Sequence, residues 1–182
     1  MMSEEIRALE PSAQIISIPV ADGGEGTVEA FLTAVGGERI EVRCKGPYFE
    51  DFTGYFAMLP GEIAVVEMAV AAGLPLVGER RNAGATTTYG VGQLIAAALD
   101  HGAKQVILGL GGSATNDGGC GAAAALGVEF RNAAGELFIP VGGTLKEIVS
   151  ISLAHAHPLI KSVPFTAMCD IDNPMYGERG AA

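Results

Sequence analysis

Three short stretches of this chain hold residues of the right type and spacing to do chemistry. The sharpest is Gly109-Leu110-Gly111-Gly112-Ser113-Ala114-Thr115-Asn116-Asp117-Gly118-Gly119. Glycine lets backbone N–H groups turn toward a ligand, and a following helix start adds partial positive charge, so such a loop suits an anion. Gly109, Gly111, Gly112, Ser113, Ala114, Thr115, Asn116 and Gly118 are therefore candidate phosphate or nucleotide contacts, and Asp117 is a candidate catalytic carboxylate. The same glycines also suit a tight strand-to-helix turn in which small residues only permit close packing.

The second stretch, Pro19-Val20-Ala21-Asp22-Gly23-Gly24-Glu25-Gly26-Thr27, repeats the logic. Asp22 and Glu25 are candidate catalytic groups that could bind Mg²⁺ or orient a substrate hydroxyl, with Gly23 and Gly24 as substrate contacts. The alternative is that one of the two acids caps the helix that follows. The third stretch is Cys169-Asp170-Ile171-Asp172-Asn173-Pro174. Asp170 and Asp172 at i and i+2 of an extended segment point the same way, which suits a shared cation, and Asn173 is a candidate substrate contact; a solvated turn is the other reading. Together the three loops fit a site where Mg²⁺ and backbone amides handle a triphosphate while a carboxylate takes a hydroxyl proton.

Other glycine-loop chemistries fit less well. A Walker loop needs Lys before Ser or Thr, and none is present. Gly109-x-Gly111-x-x-Ala114 with Glu129 about 20 residues on resembles a dinucleotide fingerprint and keeps an NAD-dependent oxidoreductase open as an alternative. Against it, the loop runs on into hydroxyls and a carboxylate, and Glu129 lies between Val128 and Phe130 in a strand pattern.

These loops need elements to hold them. Residues 3–10 read as a helix and Gln14 to Ile18 as a short strand. Val28, Phe31, Leu32 and Val35 have helical spacing up to Gly36-Gly37, and residues 39–44 alternate as a strand. Residues 52–59 and 63–68 flank Pro60-Gly61 as an antiparallel hairpin, which we read as a sheet of a different kind from a βαβ unit. Residues 89–100 read as a helix, 105–108 as a buried parallel strand, 119–126 as a helix and 164–168 as a strand; 128–130 and 136–138 flank a turn. These elements give an α/β fold class.

Composition narrows the partners. Of 182 residues, 11 are basic and 21 acidic, so a net charge of −10 disfavours nucleic acid. No apolar run is long enough for a membrane span, and the acidic start Met1-Met2-Ser3-Glu4-Glu5 lacks the signal-peptide pattern, so we expect a cytoplasmic protein away from membranes. Cys44, Cys120 and Cys169 lack metal spacing and are expected to be reduced and mostly buried. His155-x-His157 without a third ligand reads as a surface feature, and Lys45, Lys104, Lys146 and Lys161 as surface charge.

At this point a resemblance becomes specific. The stretch Ser17 to Thr27, the block Thr86-Thr87-Thr88-Tyr89-Gly90, the stretch Leu108 to Gly119 and the stretch Cys169 to Pro174 are similar, in order, to the signature blocks of the type I glycerate kinase family. The resemblance implies an ATP- and Mg²⁺-dependent kinase with an alcohol group as acceptor, making phosphoglycerate from D-glycerate in a cleft between two α/β domains. It implies that the chain holds parts of both: residues 1–46 and about 84–127 as a Rossmann-like portion with a parallel sheet, and 47–83 and about 128–182 as a mixed portion with the antiparallel hairpin. It also implies a partner in the remainder of the chain: family members begin with a strand and Asp-Ser-Phe-Lys and continue past Ala182. On that expectation the 182 residues alone are a weak or inactive kinase, a catalytically dead remnant being the limiting case, with an open sheet edge through which a homo-oligomer could form.

Overall fold

The computed structural model describes residues 2–174 and 176–180. Helix α1 (Met2–Leu9) carries Glu4 and Glu5 in its first turn and Arg7 in its last, complementing the helix dipole, and buries no residue. The expected strand at 14–18 does not form. Ile16 and Ile18 are 76% and 75% exposed, and no strand pairs with them among the described residues. Apolar alternation makes a strand only when a neighbour takes up its backbone N–H and C=O groups, and none is present here.

Helix α2 (Thr27–Val35) ends where the Gly36 N–H returns to the Leu32 carbonyl at 3.0 Å. The chain then builds β1 (Glu38–Lys45), β2 (Asp51–Leu59) and β3 (Ile63–Glu67) as an antiparallel meander, from Glu38↔Met58 through Lys45↔Asp51 and on to Leu59↔Ile63. Two short helices, α3 (Met68–Ala72) and α4 (Leu74–Val77), precede α5 (Tyr89–Asp100), β4 (Gln105–Gly109) and α6 (Cys120–Ala125). Strands β5 (Glu129–Arg131), β6 (Leu137–Phe138) and β7 (Ser150–Ser152) make a small antiparallel sheet of order β6-β5-β7, and β8 (Phe165–Met168) follows.

The hairpin corrects one expectation. It is not part of a separate sheet: β3 runs parallel to β4 from Ile63↔Gln105 to Glu67↔Gly109, and β4 runs parallel to β8. The result is a mixed five-stranded sheet of order β1-β2-β3-β4-β8 beside the small antiparallel sheet. Sequence pattern reports that β2 and β3 are strands; which strand lies beyond β3 depends on long-range pairing.

Strand periodicity explains how both faces are covered. Phe56, Ala64, Val66 and Val106 face α5, whose Val91, Leu94, Ile95, Ala98 and Leu99 complete the larger core. Ala57, Leu59 and Val65, each one position out of phase with that set, face Val28 of α2. A sheet buried on both faces exposes its functional groups at strand ends, which is where the three loops lie.

Candidate active site

Glu67, Gly109 and Met168 end the three parallel strands side by side, through the pairs Glu67↔Gly109 and Gly109↔Met168. The loop before α2 closes onto this edge. Gly111 N–H donates to the Gly23 carbonyl at 3.0 Å, and Leu110 N–H to the Met168 carbonyl at 3.1 Å. A Cβ on Gly109 would lie 2.4 Å from the Gly23 oxygen, and one on Gly111 would lie 2.8 Å from the Gly24 backbone. Gly23 itself has φ +100°, with the Met168 oxygen 2.7 Å from where its Cβ would be. Glycine meets glycine because any side chain would force the two loops apart.

This changes the reading of the phosphate cradle. Gly109 and Gly111 serve close packing, and several amides of the loop are already engaged. Ala114 N–H donates to the Ala72 carbonyl at 2.8 Å, while the Gly112 carbonyl accepts from Leu74 N–H at 2.9 Å. Thr115 N–H donates to Ser113 Oγ at 3.2 Å, and the Ser113 and Thr115 hydroxyls lie 2.7 Å apart. The amides of Gly112, Ser113 and Asn116 have no acceptor among the described residues. Gly118 has open space around its Cα and φ +61°.

Asp117 is not placed as a catalytic base. It is 1% exposed and accepts from Thr88 N–H (2.8 Å), Thr88 Oγ1 (2.9 Å), Gly119 N–H (3.0 Å) and Gly121 N–H (3.1 Å). A buried carboxylate with this many donors is fully satisfied, and it ties the start of α6 to the start of α5. Thr86 continues the same tie: its hydroxyl donates to the Ala114 carbonyl at 2.8 Å. The threonine block at 86–88 therefore holds the glycine loop from behind.

The acidic residues lie differently. Asp22 is exposed, and its Oδ1 accepts from Gly24 N–H at 3.1 Å. Glu25 is exposed beside Gly112, where a Cβ would come 2.6 Å from its carboxylate. Neither caps α2. That place is taken by Glu67, whose carboxylate accepts from Val28 N–H while 2% exposed. Asp170, Asp172 and Asn173 are exposed; Asn173 Nδ2 donates to the Arg179 carbonyl at 3.0 Å. Among the described residues no three or more His, Cys, Asp or Glu gather as a metal site, so a shared cation here would rest on one or two carboxylates. Cys169 is exposed, contrary to the expectation of mostly buried thiols; Cys44 is buried and Cys120 half-buried, and burial raises the pKa of both. His155 and His157 do not form a metal site: they approach Glu129 at 3.6 Å and Asp100 at 3.3 Å respectively.

Two residues of this edge escape sequence reasoning. Glu67 was visible as the one charged residue closing an apolar strand. Its carboxyl is held above the ordinary range, chiefly by burial, with the Val28 and Gly26 amides pulling the other way and the charges of Glu25 and Glu29 adding to the rise. Arg81 gave no periodic signal at all, yet it lines two adjoining cavities. One, of about 440 Å³, it shares with Glu25, Leu74 and Glu79; the other, of about 390 Å³, with Leu74, Ser113, Thr115 and Asn116. A third cavity, of about 530 Å³, is lined by Val20, Ala21, Asp22 and Glu25.

Glu129 lies in the small sheet, paired with Arg131 at 3.1 Å, away from the end of β4 where a ribose-binding acid would stand. That removes the dinucleotide reading and leaves a mixed α/β protein whose loops converge beyond the carboxyl ends of parallel strands. The chain belongs to the glycerate kinase family: the family model matches residues 1–182. It is 47% identical over 177 residues to a glycerate kinase of Bacillus cereus, covering 96% of this chain and 46% of that protein. It is 42% identical over 178 residues to the glycerate 2-kinase of Escherichia coli, covering 97% and 47%. A crystal structure of a protein described as glycerate kinase 2 from Salmonella typhimurium LT2 superposes with a TM-score of 0.85 at 37% identity, covering 99% of this chain and 49% of that one. The chain thus spans about half the length of these relatives. Among the described residues no helix is long and apolar enough to cross a membrane.

Proposed function

We propose that this chain contributes a phosphoryl-transfer site of a glycerate kinase, moving the γ-phosphoryl group of ATP to a hydroxyl of D-glycerate. The observation that supports it best is the interlock of the Gly23 and Gly111 loops at the end of β4 and β8, which brings acidic and hydroxyl-bearing loops to one edge. Phosphoryl transfer needs little covalent help from protein and much positioning, so a rigid edge with free amides and nearby carboxylates suits it.

In this reading the free amides of Gly112, Ser113 and Asn116, with the hydroxyls of Ser113 and Thr115, bind phosphate oxygens. Asp22 or Glu25 accepts the proton of the acceptor hydroxyl as it attacks. Mg²⁺ fits the donor set as an ion held by one or two exposed carboxylates, Asp170 and Asp172 among them, together with the phosphates themselves, and would neutralise developing charge. Asp117 and Glu67 work through the backbone, holding the helix starts behind the loops. The two-domain division is likewise part of this proposal, with β2 and β3 joining the sheet of the Rossmann-like portion. We further propose a cytoplasmic location.

The test is direct. The purified protein is given Mg²⁺-ATP and D-glycerate, and phosphoglycerate is followed by ³¹P NMR. Formation of ADP and phosphoglycerate in equal amounts supports the reading; a folded protein that is stabilised by NADH and not by Mg²⁺-ATP overturns it.

A further inference from the structure

The cavities along this edge form a series, joined first by Glu25 and then by Leu74 and Arg81. Their charge changes along the way. Asp22 and Glu25 line the first, Glu25, Glu79 and Arg81 the second, and the third has Arg81 with no carboxylate in its wall. In a chain of net charge −10, a cavity with a cation and no acid is the place where an anion meets least repulsion.

Arg81 is also uncommitted. Arg39, Lys45 and Arg131 reach carboxylates at 3.0, 2.7 and 3.1 Å, Lys104 pairs with Glu62, and Arg80 stacks 4.5 Å over the Tyr48 ring. Arg81, by contrast, has no ion pair, ring contact or side-chain hydrogen bond among the described residues, only its backbone N–H donating to the Glu79 carbonyl at 2.9 Å. Other residues lining this cavity supply further donors. Ser113 and Asn116 have amides without an acceptor, and the Asn116 side chain likewise has no partner among the described residues.

We propose that Arg81, with Ser113 and Asn116, forms an oxyanion subsite for one of the two reactants, either the carboxylate of the hydroxy-acid acceptor or a phosphate of the nucleotide. This rests on the kinase reading for the identity of its ligands, but not for its existence. A guanidinium offers paired donors in a plane that matches both groups, and charge-assisted hydrogen bonds of this kind are the strong ones.

The subsite is tested by calorimetric titration of the protein with D-glycerate, with inorganic phosphate and with ATP. Wild type is compared with Arg81→Ala, Arg81→Lys and the neighbouring control Arg80→Ala. Arg81→Ala should weaken at least one of these anions by about tenfold or more, Arg81→Lys should recover part of the loss, and Arg80→Ala should leave binding unchanged. A loss confined to D-glycerate assigns the carboxylate; a loss confined to phosphate and ATP assigns the nucleotide. Arg81 is exposed, so the variants should fold, which an unchanged melting temperature verifies. Equal affinity of wild type and Arg81→Ala for all three anions, or no binding of any by wild type, overturns the proposal. Arg81-dependent anion binding in a wild type that is stabilised by NADH and not by Mg²⁺-ATP keeps the subsite and discards the kinase reading.

Discussion

Gly111 N–H and the Gly23 carbonyl meet at 3.0 Å, and this one hydrogen bond joins the two glycine loops of the site. The backbone of Gly24 lies 2.8 Å from where a Gly111 Cβ would be, so neither loop can gain a side chain at this seam without moving. Gly111→Val should therefore cost about 1–3 kcal/mol, and roughly 3–10 °C in melting temperature. Gly118→Ala meets no atom within 4 Å and carries only the strain of φ +61°, about 1 kcal/mol. A thermal melt of the two variants checks the order. Equal loss in both would mean that the seam does not hold the loops.

Asp117 should behave as a structural group. In Asp117→Asn the amide would set an N–H against donors that now point at a carboxylate, the Thr88 and Gly121 amides among them. Urea denaturation should show a loss of roughly 2–4 kcal/mol. An unchanged midpoint with abolished turnover would instead make Asp117 a base.

Glu67 makes stability depend on pH. Its carboxyl has a raised pKa in the folded chain, chiefly through burial, against an ordinary value of 4.5. The folded state thus binds the proton more tightly than the unfolded state. The stability this contributes is fully present below 4.5 and is lost as pH rises through the folded value. Glu67→Gln keeps an acceptor for Val28 N–H and cannot ionise, so its melting temperature should gain on wild type as pH rises through this window. A constant offset across the window would exclude the effect.

Asp22, Asp170 and Asp172 are exposed, so their Asp→Asn variants should keep stability within about 0.5 kcal/mol of wild type. If they hold Mg²⁺ as proposed, turnover falls and more Mg²⁺ is needed for half activity. Metal titration of initial rates checks this, and an unchanged Mg²⁺ requirement would leave these carboxylates as turn residues.

Strand β8 is an edge of the five-stranded sheet, with Phe165 40% exposed, and Ile171 just beyond it is 59% exposed. Among the described residues this apolar edge has no partner strand, and such an edge invites pairing with another chain. Sizing at rising concentration should show self-association of the 182-residue chain, and Thr166→Lys on this exposed edge should reduce it. A monomer at every concentration would contradict the open edge.

The sequence alone determined the local elements. The period of Leu94, Ile95, Ala98 and Leu99 set α5 as Tyr89–Asp100, and the apolar run before Gly109 set β4, because helix and strand periods are properties of neighbouring residues. Four ordered blocks also sufficed for the family. Tertiary structure decided the partners. Gln14 to Ile18 alternates well enough for a strand and found no neighbour among the described residues; the hairpin found β4. Glu67 rather than Asp22 or Glu25 caps α2, Asp117 turned inward onto Thr88, and Arg81 lines the same cavity as Ser113. Each depends on which strands lie side by side, and that is settled by burial and pairing between residues far apart in the chain, which no local period encodes.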